Sequence, residues 1–322
     1  MRKVAVEPAV QGGVEASQIL AYCAFGLLGL IWGSNFIFMK WAAASITAEQ
    51  IVLLRTVFGF APLLILALMT RSLHLRDLKH AHHFLAMALL ATIFYYTAFA
   101  KGTALLLSSV AGMLSGAIPI FAFLMAWVFL QDERINVRSL VGTLVGFAGV
   151  LLIARPWSGG GDISTVGVLW MIGGSLSVGC SFVYARKYIS PLGLSPLSLT
   201  TYQIGLALIL LLGTVDRHGI TAVFADRGAT VGLILGLGLC GTGLAYVLYY
   251  VLVDRLGAVA ASGVTYVPPV VALLIGYFSI GEPIRLLDVG AMAAILAGVS
   301  LLQSGRRMGV RRAAHNVRSG ST

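Results

Sequence analysis

The sequence predicts an all-α integral membrane protein of ten transmembrane helices, arranged as two inverted five-helix repeats. Three observations predict it. The 322 residues are 58% hydrophobic and only 11% charged, with a mean hydropathy of +0.93, a balance no ordinary soluble domain has. The apolar residues gather in ten runs, each close to the roughly 20 residues that a helix needs to cross about 30 Å of hydrocarbon. Finally, one stretch is written twice.

That stretch runs from Leu107 to Leu152 and recurs, without a gap, 149 positions later. Val110, Ala111, Pro119, Leu124, Phe129 and Glu133 fall on Val259, Ala260, Pro268, Leu273, Phe278 and Glu282, and the run Ala148, Gly149, Val150 falls on Ala297, Gly298, Val299. Such self-similarity marks a duplicated unit. A unit with an odd number of crossings must enter the membrane upside down in its second copy, so Glu133 and Glu282 are expected at opposite faces. Residues 1–17 then form a polar segment, 18–155 the first repeat, 156–165 a linker, 166–304 the second repeat and 305–322 a basic tail. In helices 3 and 8 the pattern fixes no register.

Taken in order, the spans fall near 19–41, 49–69, 83–101, 105–130, 137–154, 166–186, 196–214, 230–252, 258–280 and 286–303. Most connections are short, and only 70–82 and 215–229 are longer. The first run, Ile19 to Met39, is too long for the apolar core of a cleaved leader and reads as a retained span. Arg71, Arg76, Lys79, Arg134, Arg138, Arg186, Lys187, Arg255 and the arginines of the tail share one side. The positive-inside rule makes that side cytoplasmic, and both termini with it.

The formal charge of +10 sits between apolar runs and in the tail rather than on a folded basic face, which favours anionic lipid headgroups over nucleic acid as the partner. Cys23, Cys180 and Cys240 lie inside apolar runs at no metal-ligand spacing, and no metal or cofactor is expected. All carboxylates and all six histidines fall in loops or at helix ends. A proton relay at the midplane is therefore unsupported, as is an active site for hydrolysis or acyl transfer. His80, His82 and His83 read as a solvated loop.

Arg55 is the sharpest single residue. It lies about six residues into helix 2, roughly 9 Å below the outer end at the helical rise, where an arginine is costly unless it faces a cavity or a partner. It reads either as an anchor for an anionic group on a solute or as a snorkelling or carbonyl-bonded side chain. Lys40, nearer its helix end, reads as snorkelling. Pro119, Pro268 and Pro269 interrupt helices 4 and 9 near mid-span and are expected to bend them, with room for a cavity and a gating role. Trp32, Tyr95, Tyr96, Tyr246, Tyr249 and Tyr266 lie well inside the runs, where they serve either packing or stacking on an organic solute. Asn35 shares a helix face with Trp32, and Gln203 falls opposite Arg55. Glu133 and Glu282 suit the N-terminus of the helix that follows each. Gly142, Gly146 and Gly149 read as packing devices.

The run WGSNFIFMKW at 32–41, Arg55 in LLRTVFG, and the proline-to-glutamate spacing from Pro119 to Glu133 and again from Pro268 to Glu282, each followed by AGV, resemble the drug/metabolite transporter superfamily, EamA type. The resemblance covers about 17–304. It implies a carrier with cytoplasmic termini in the cell (inner) membrane that moves small organic solutes, amino-acid-like or drug-like, frequently outward by alternating access. Trp32, Asn35, Arg55, Tyr95, Tyr96, Gln203, Tyr246, Tyr249 and Tyr266 are the expected substrate-contacting set. The rival readings are a lipid or lipid-linked precursor flippase, a non-transporting scaffold and a membrane enzyme. Substrate, energy source and oligomeric state are not legible.

Overall fold

The structure, a computed structural model, describes residues 9–130, 137–155, 163–256 and 262–319. Among these residues every regular element is helical. We number them α1 (Ala9–Ala42), α2 (Ala48–Met69), α3 (Leu75–Leu105), α4 (Ser108–Phe129), α5 (Val137–Ala154), α6 (Thr165–Leu192), α7 (Pro196–Thr214), α8 (Arg227–Tyr249, continuing to Leu256), α9 (Val264–Ile280) and α10 (Leu286–Ser319). The first eight are long and apolar enough to cross a bilayer, in α1 from Tyr22 onward. The apolar parts of α9 and α10, Val264–Ile280 and Leu286–Leu302, are shorter, about 25 Å at the helical rise. Two ends depart from expectation: α1 already begins at Ala9, and α10 runs on through the basic tail to Ser319.

Local chemistry explains where the helices start and break. Thr47 caps α2 and forms a reciprocal capping box with Gln50, worth about 1 kcal/mol. Helix α4 is not one bent rod. Its first half ends at Ser115 and its second begins at Ile118, with Gly116 and Ala117 between. The carbonyls at the break are taken by short-range donors, Ser115 Oγ to Gly112 O at 2.6 Å and Gly116 N to Met113 O at 3.0 Å. Pro119 therefore sits in the first turn of a new helix, where no N–H is needed. Pro268 and Pro269 likewise open the helical stretch Val267–Ile280 after a 3-10 turn over Ser262–Tyr266. The expected mid-helix bends are helix starts. The two breaks abut, for a Cβ on Gly116 would lie 3.4 Å from Pro269 Cγ.

Helices α3 and α8 carry π-wound segments at Leu89–Phe94 and Gly232–Leu244. Thr92 and Thr242 lie within them, 150 positions apart, and supply the register that the sequence pattern left open. Packing follows the duplication closely. α5 packs on α10, α4 on α9, α2 on α8 and α3 on α7. α3 also meets α6 where α8 meets α1, and α4 meets α6 where α9 meets α1. The α5–α10 contact is a backbone-to-backbone approach: a Cβ on Gly298 would stand 2.4 Å from Gly146 N and 2.6 Å from Gly142 O. Small residues permit such contact between membrane helices, as expected for Gly142, Gly146 and Gly149. One large apolar core, including Ile51, Phe99, Met113, Ile153 and Ile295, joins both halves.

Candidate functional site

Arg55 is buried, only 3% exposed. Its guanidinium carbon lies 3.7 Å from the centroid of the Tyr96 ring, and Nη2 donates to Thr242 Oγ1 at 3.5 Å. Nε is buried without a partner, and among the described residues no carboxylate lies within ion-pair distance. Arg55 thus does not snorkel. A guanidinium held by a ring face and one long hydroxyl contact is under-compensated for a buried charge, and is chemically ready for an anion.

Around it stand Tyr95, Tyr96 and Phe99 of α3, with ring centroids 5.0 Å apart for Tyr95 and Tyr96 and 4.6 Å for Tyr95 and Phe99. Phe36 of α1 closes on Phe99 at 6.0 Å. Asn35 enters from α1 because position 241 lacks a side chain: a Cβ on Gly241 would lie 2.5 Å from Asn35 Oδ1. Asn35 is 8% exposed and its Oδ1 has no partner. From the second half Gln203 Nε2 donates to Thr92 Oγ1 at 3.0 Å, both side chains being buried. Arg55, Tyr95, Tyr96, Asn35 and Gln203 therefore gather about the π-wound segments of α3 and α8. Such segments are frequent at functional sites.

Trp32 and Tyr249 stand apart from this group. They pair with each other, ring centroids 6.2 Å apart, beside a separate apolar cluster of Leu28, Ile31, Ala245 and Leu252. Tyr246 and Tyr266 are half-buried, and Tyr266 packs against the main core. Two apolar grooves, of about 320 and 390 Å³, lie between α2 and α8, at Pro62 and Leu239, and among α1, α8 and α9, at Leu30, Leu235 and Ile275.

One end of the bundle is stapled by two charges. Glu282 does not cap the helix that follows it. Its carboxylate reaches into the other half and caps α4, accepting from Ser108 N at 2.7 Å, Ser108 Oγ at 2.9 Å and Ser109 N at 2.8 Å, where a helix N-terminus favours negative charge. Lys40, expected to snorkel, donates to Thr103 O and Ala104 O at the end of α3 and to Leu106 O just beyond it, the last at 2.6 Å. The start of α10 is served by Asp288, which accepts from Arg285 N and pairs with buried Arg155. Glu133 lies outside the described residues. The histidines are not merely solvated: His83 Nδ1 lies 2.8 Å from Tyr184 Oη, and its ring stacks on Tyr188. Thr92, Thr242 and the Lys40 cap were missed from sequence. The 150-position match of the threonines was the available signal.

A bundle with eight described helices long and apolar enough to cross a bilayer, and a buried cation among aromatic and polar side chains, is that of a multi-pass membrane protein. The chain belongs to the EamA-like transporter family, whose pattern matches it twice, over 19–155 and 165–303. It is 29% identical over 275 residues to the uncharacterized transporter YdfC of Bacillus subtilis, covering 85% of this chain and 87% of that one. Over 204 residues it is 26% identical to the uncharacterized inner membrane transporter YedA of Escherichia coli K12, covering 62% and 63%. A solved crystal structure with 16% identity superposes with a TM-score of 0.58 over 88% of this chain and 97% of the other, a likeness of fold. The family points to a transporter rather than an enzyme, with small molecules as substrates.

Proposed function

We propose that the chain is a ten-span carrier of the cytoplasmic membrane, with both termini inside, that exports small organic solutes by alternating access between two inverted five-helix halves. The observation that carries this reading is Arg55, a 3% exposed guanidinium with an unpartnered Nε that lies against the ring of Tyr96. A buried ionisable residue at membrane depth marks a substrate path by default. Three features support the inverted arrangement. Helix contacts come in matched sets across the halves, Arg55–Thr242 is mirrored by Gln203–Thr92, and the two interrupted helices meet at their breaks. Discontinuous helices at a repeat interface are a frequent setting for transport sites.

On this reading Lys40 and Glu282 form a closed outer gate, since they bind α1 to α3 and α9 to α4 at one end. Opening outward breaks these contacts and makes the equivalent ones at the inner end. The test is flux of labelled amino acids and organic acids in proteoliposomes, compared with protein-free vesicles. Specific flux that Arg55→Ala abolishes for anionic solutes supports the reading. No flux above the vesicle background, over a panel that includes lipid analogues, discards it.

A further inference from the structure

Arg55 and Gln203 occupy matching places in the two halves, 148 positions apart. Each reaches a threonine in a π-wound segment of the other half, Arg55 to Thr242 and Gln203 to Thr92. Both are buried, at 3% and 4% exposure. Their helices, α2 and α7, pack on each other, and both side chains address α3. Gln203 bonds Thr92 while Arg55 lies over Tyr96, four residues further along, or about one turn of this locally π-wound helix.

We propose that Gln203 sets the charge number of the substrate, so that the site takes a monocarboxylate whose far end carries a neutral hydrogen-bonding group. The carboxylate binds Arg55, and the neutral group binds Gln203 about one helical turn away. This rests on the carrier reading above. Arg55 is a permanent cation with five donors, whereas the Gln203 amide donates and accepts but carries no charge. A dianion would leave its second carboxylate desolvated beside Gln203 with no counter-charge, and a neutral solute would leave the guanidinium unpaired. A carboxylate offers Arg55 a bidentate partner stronger than the ring face and the hydroxyl it now touches. The neutral group exchanges with the Thr92 hydroxyl at Gln203.

Three molecules of one shape test this: glutarate, glutaramate and glutaramide carry two, one and no carboxylates on the same five-carbon frame. Their apparent affinities are read from the rise in unfolding temperature of the purified full chain in detergent. Wild type binds glutaramate best, by about tenfold, the factor expected for one charge-assisted contact. Gln203→Arg moves the preference to glutarate, Arg55→Gln moves it to glutaramide, and the swap Arg55→Gln/Gln203→Arg returns it to glutaramate. If a single variant does not fold, wild type and the swap still decide. Wild-type preference for glutarate or glutaramide, no binding of any of the three, or a swap that behaves like Arg55→Gln overturns the proposal. Because the readout is binding, absent flux with this preference intact would count against the carrier reading alone.

Discussion

The guanidinium of Arg55 lies over the ring of Tyr96, 3.7 Å from its centroid, and the two side chains come from different helices. In a site where no described carboxylate pairs with Arg55, the negative face of the ring supplies part of the missing counter-charge. Tyr96→Phe keeps that face and is expected to leave stability nearly unchanged. Tyr96→Leu removes it and is expected to cost about 2 kcal/mol for a desolvated pair, visible as a lower unfolding temperature in detergent.

Glu282 accepts three hydrogen bonds from Ser108 and Ser109 across the two halves. Glu282→Ala leaves two buried backbone donors without an acceptor and is expected to cost about 3 kcal/mol, against about 1 kcal/mol for Ser108→Ala. Thermal unfolding of the two variants checks the ratio. On the gate reading, Glu282→Ala also raises labelling of a cysteine placed near the site by an external membrane-impermeant reagent.

Arg155 and Asp288 form a buried pair, with side chains 7% and 8% exposed. Asp288→Asn removes the buried counter-charge that Asp288 offers Arg155 and is expected to destabilise the chain, whereas the double variant Arg155→Met/Asp288→Leu recovers part of that loss but not the acceptor that Asp288 gives Arg285 N. A double-mutant cycle on unfolding free energy reads the coupling.

Much of this was legible in the sequence because membrane helices write their length in plain apolar runs, and because duplication leaves paired residues such as Pro119 and Pro268. Arg55 was legible because an arginine at membrane depth is rare. The rest depended on which side chain reaches which neighbour. Glu282 looked like a cap for its own successor helix, since both N-termini are equally electropositive, and only the fold brings Ser108 to it. Lys40 looked like a snorkelling residue because helix α3, whose carbonyls it caps, is distant in sequence. Trp32 shares a helix face with Asn35, yet its ring meets Tyr249 at a tilt. The π-wound segments are silent in composition, being glycine-rich in α8 and leucine-rich in α3.

The α5–α10 interface has no room for a methyl group at Gly298, where a Cβ would meet backbone atoms at 2.4 and 2.6 Å. Gly298→Ala is expected to destabilise by about 1–3 kcal/mol through forced separation of the helices. Gly290→Ala, on the same helix with nothing within 4 Å, is expected to stabilise slightly through helix propensity. The two unfolding temperatures, measured side by side, distinguish close packing from a general intolerance of α10.

The inverted pairing of the halves is tested most directly by sidedness. Arg134 and Pro283 are equivalent positions, 149 apart, each directly following a matched glutamate. In a chain with Cys23, Cys180 and Cys240 replaced by alanine, Arg134→Cys and Pro283→Cys are labelled in intact cells and in inside-out vesicles with a membrane-impermeant maleimide. The account predicts Pro283→Cys labelled only from outside and Arg134→Cys only from inside. Labelling of both from the same face would contradict it.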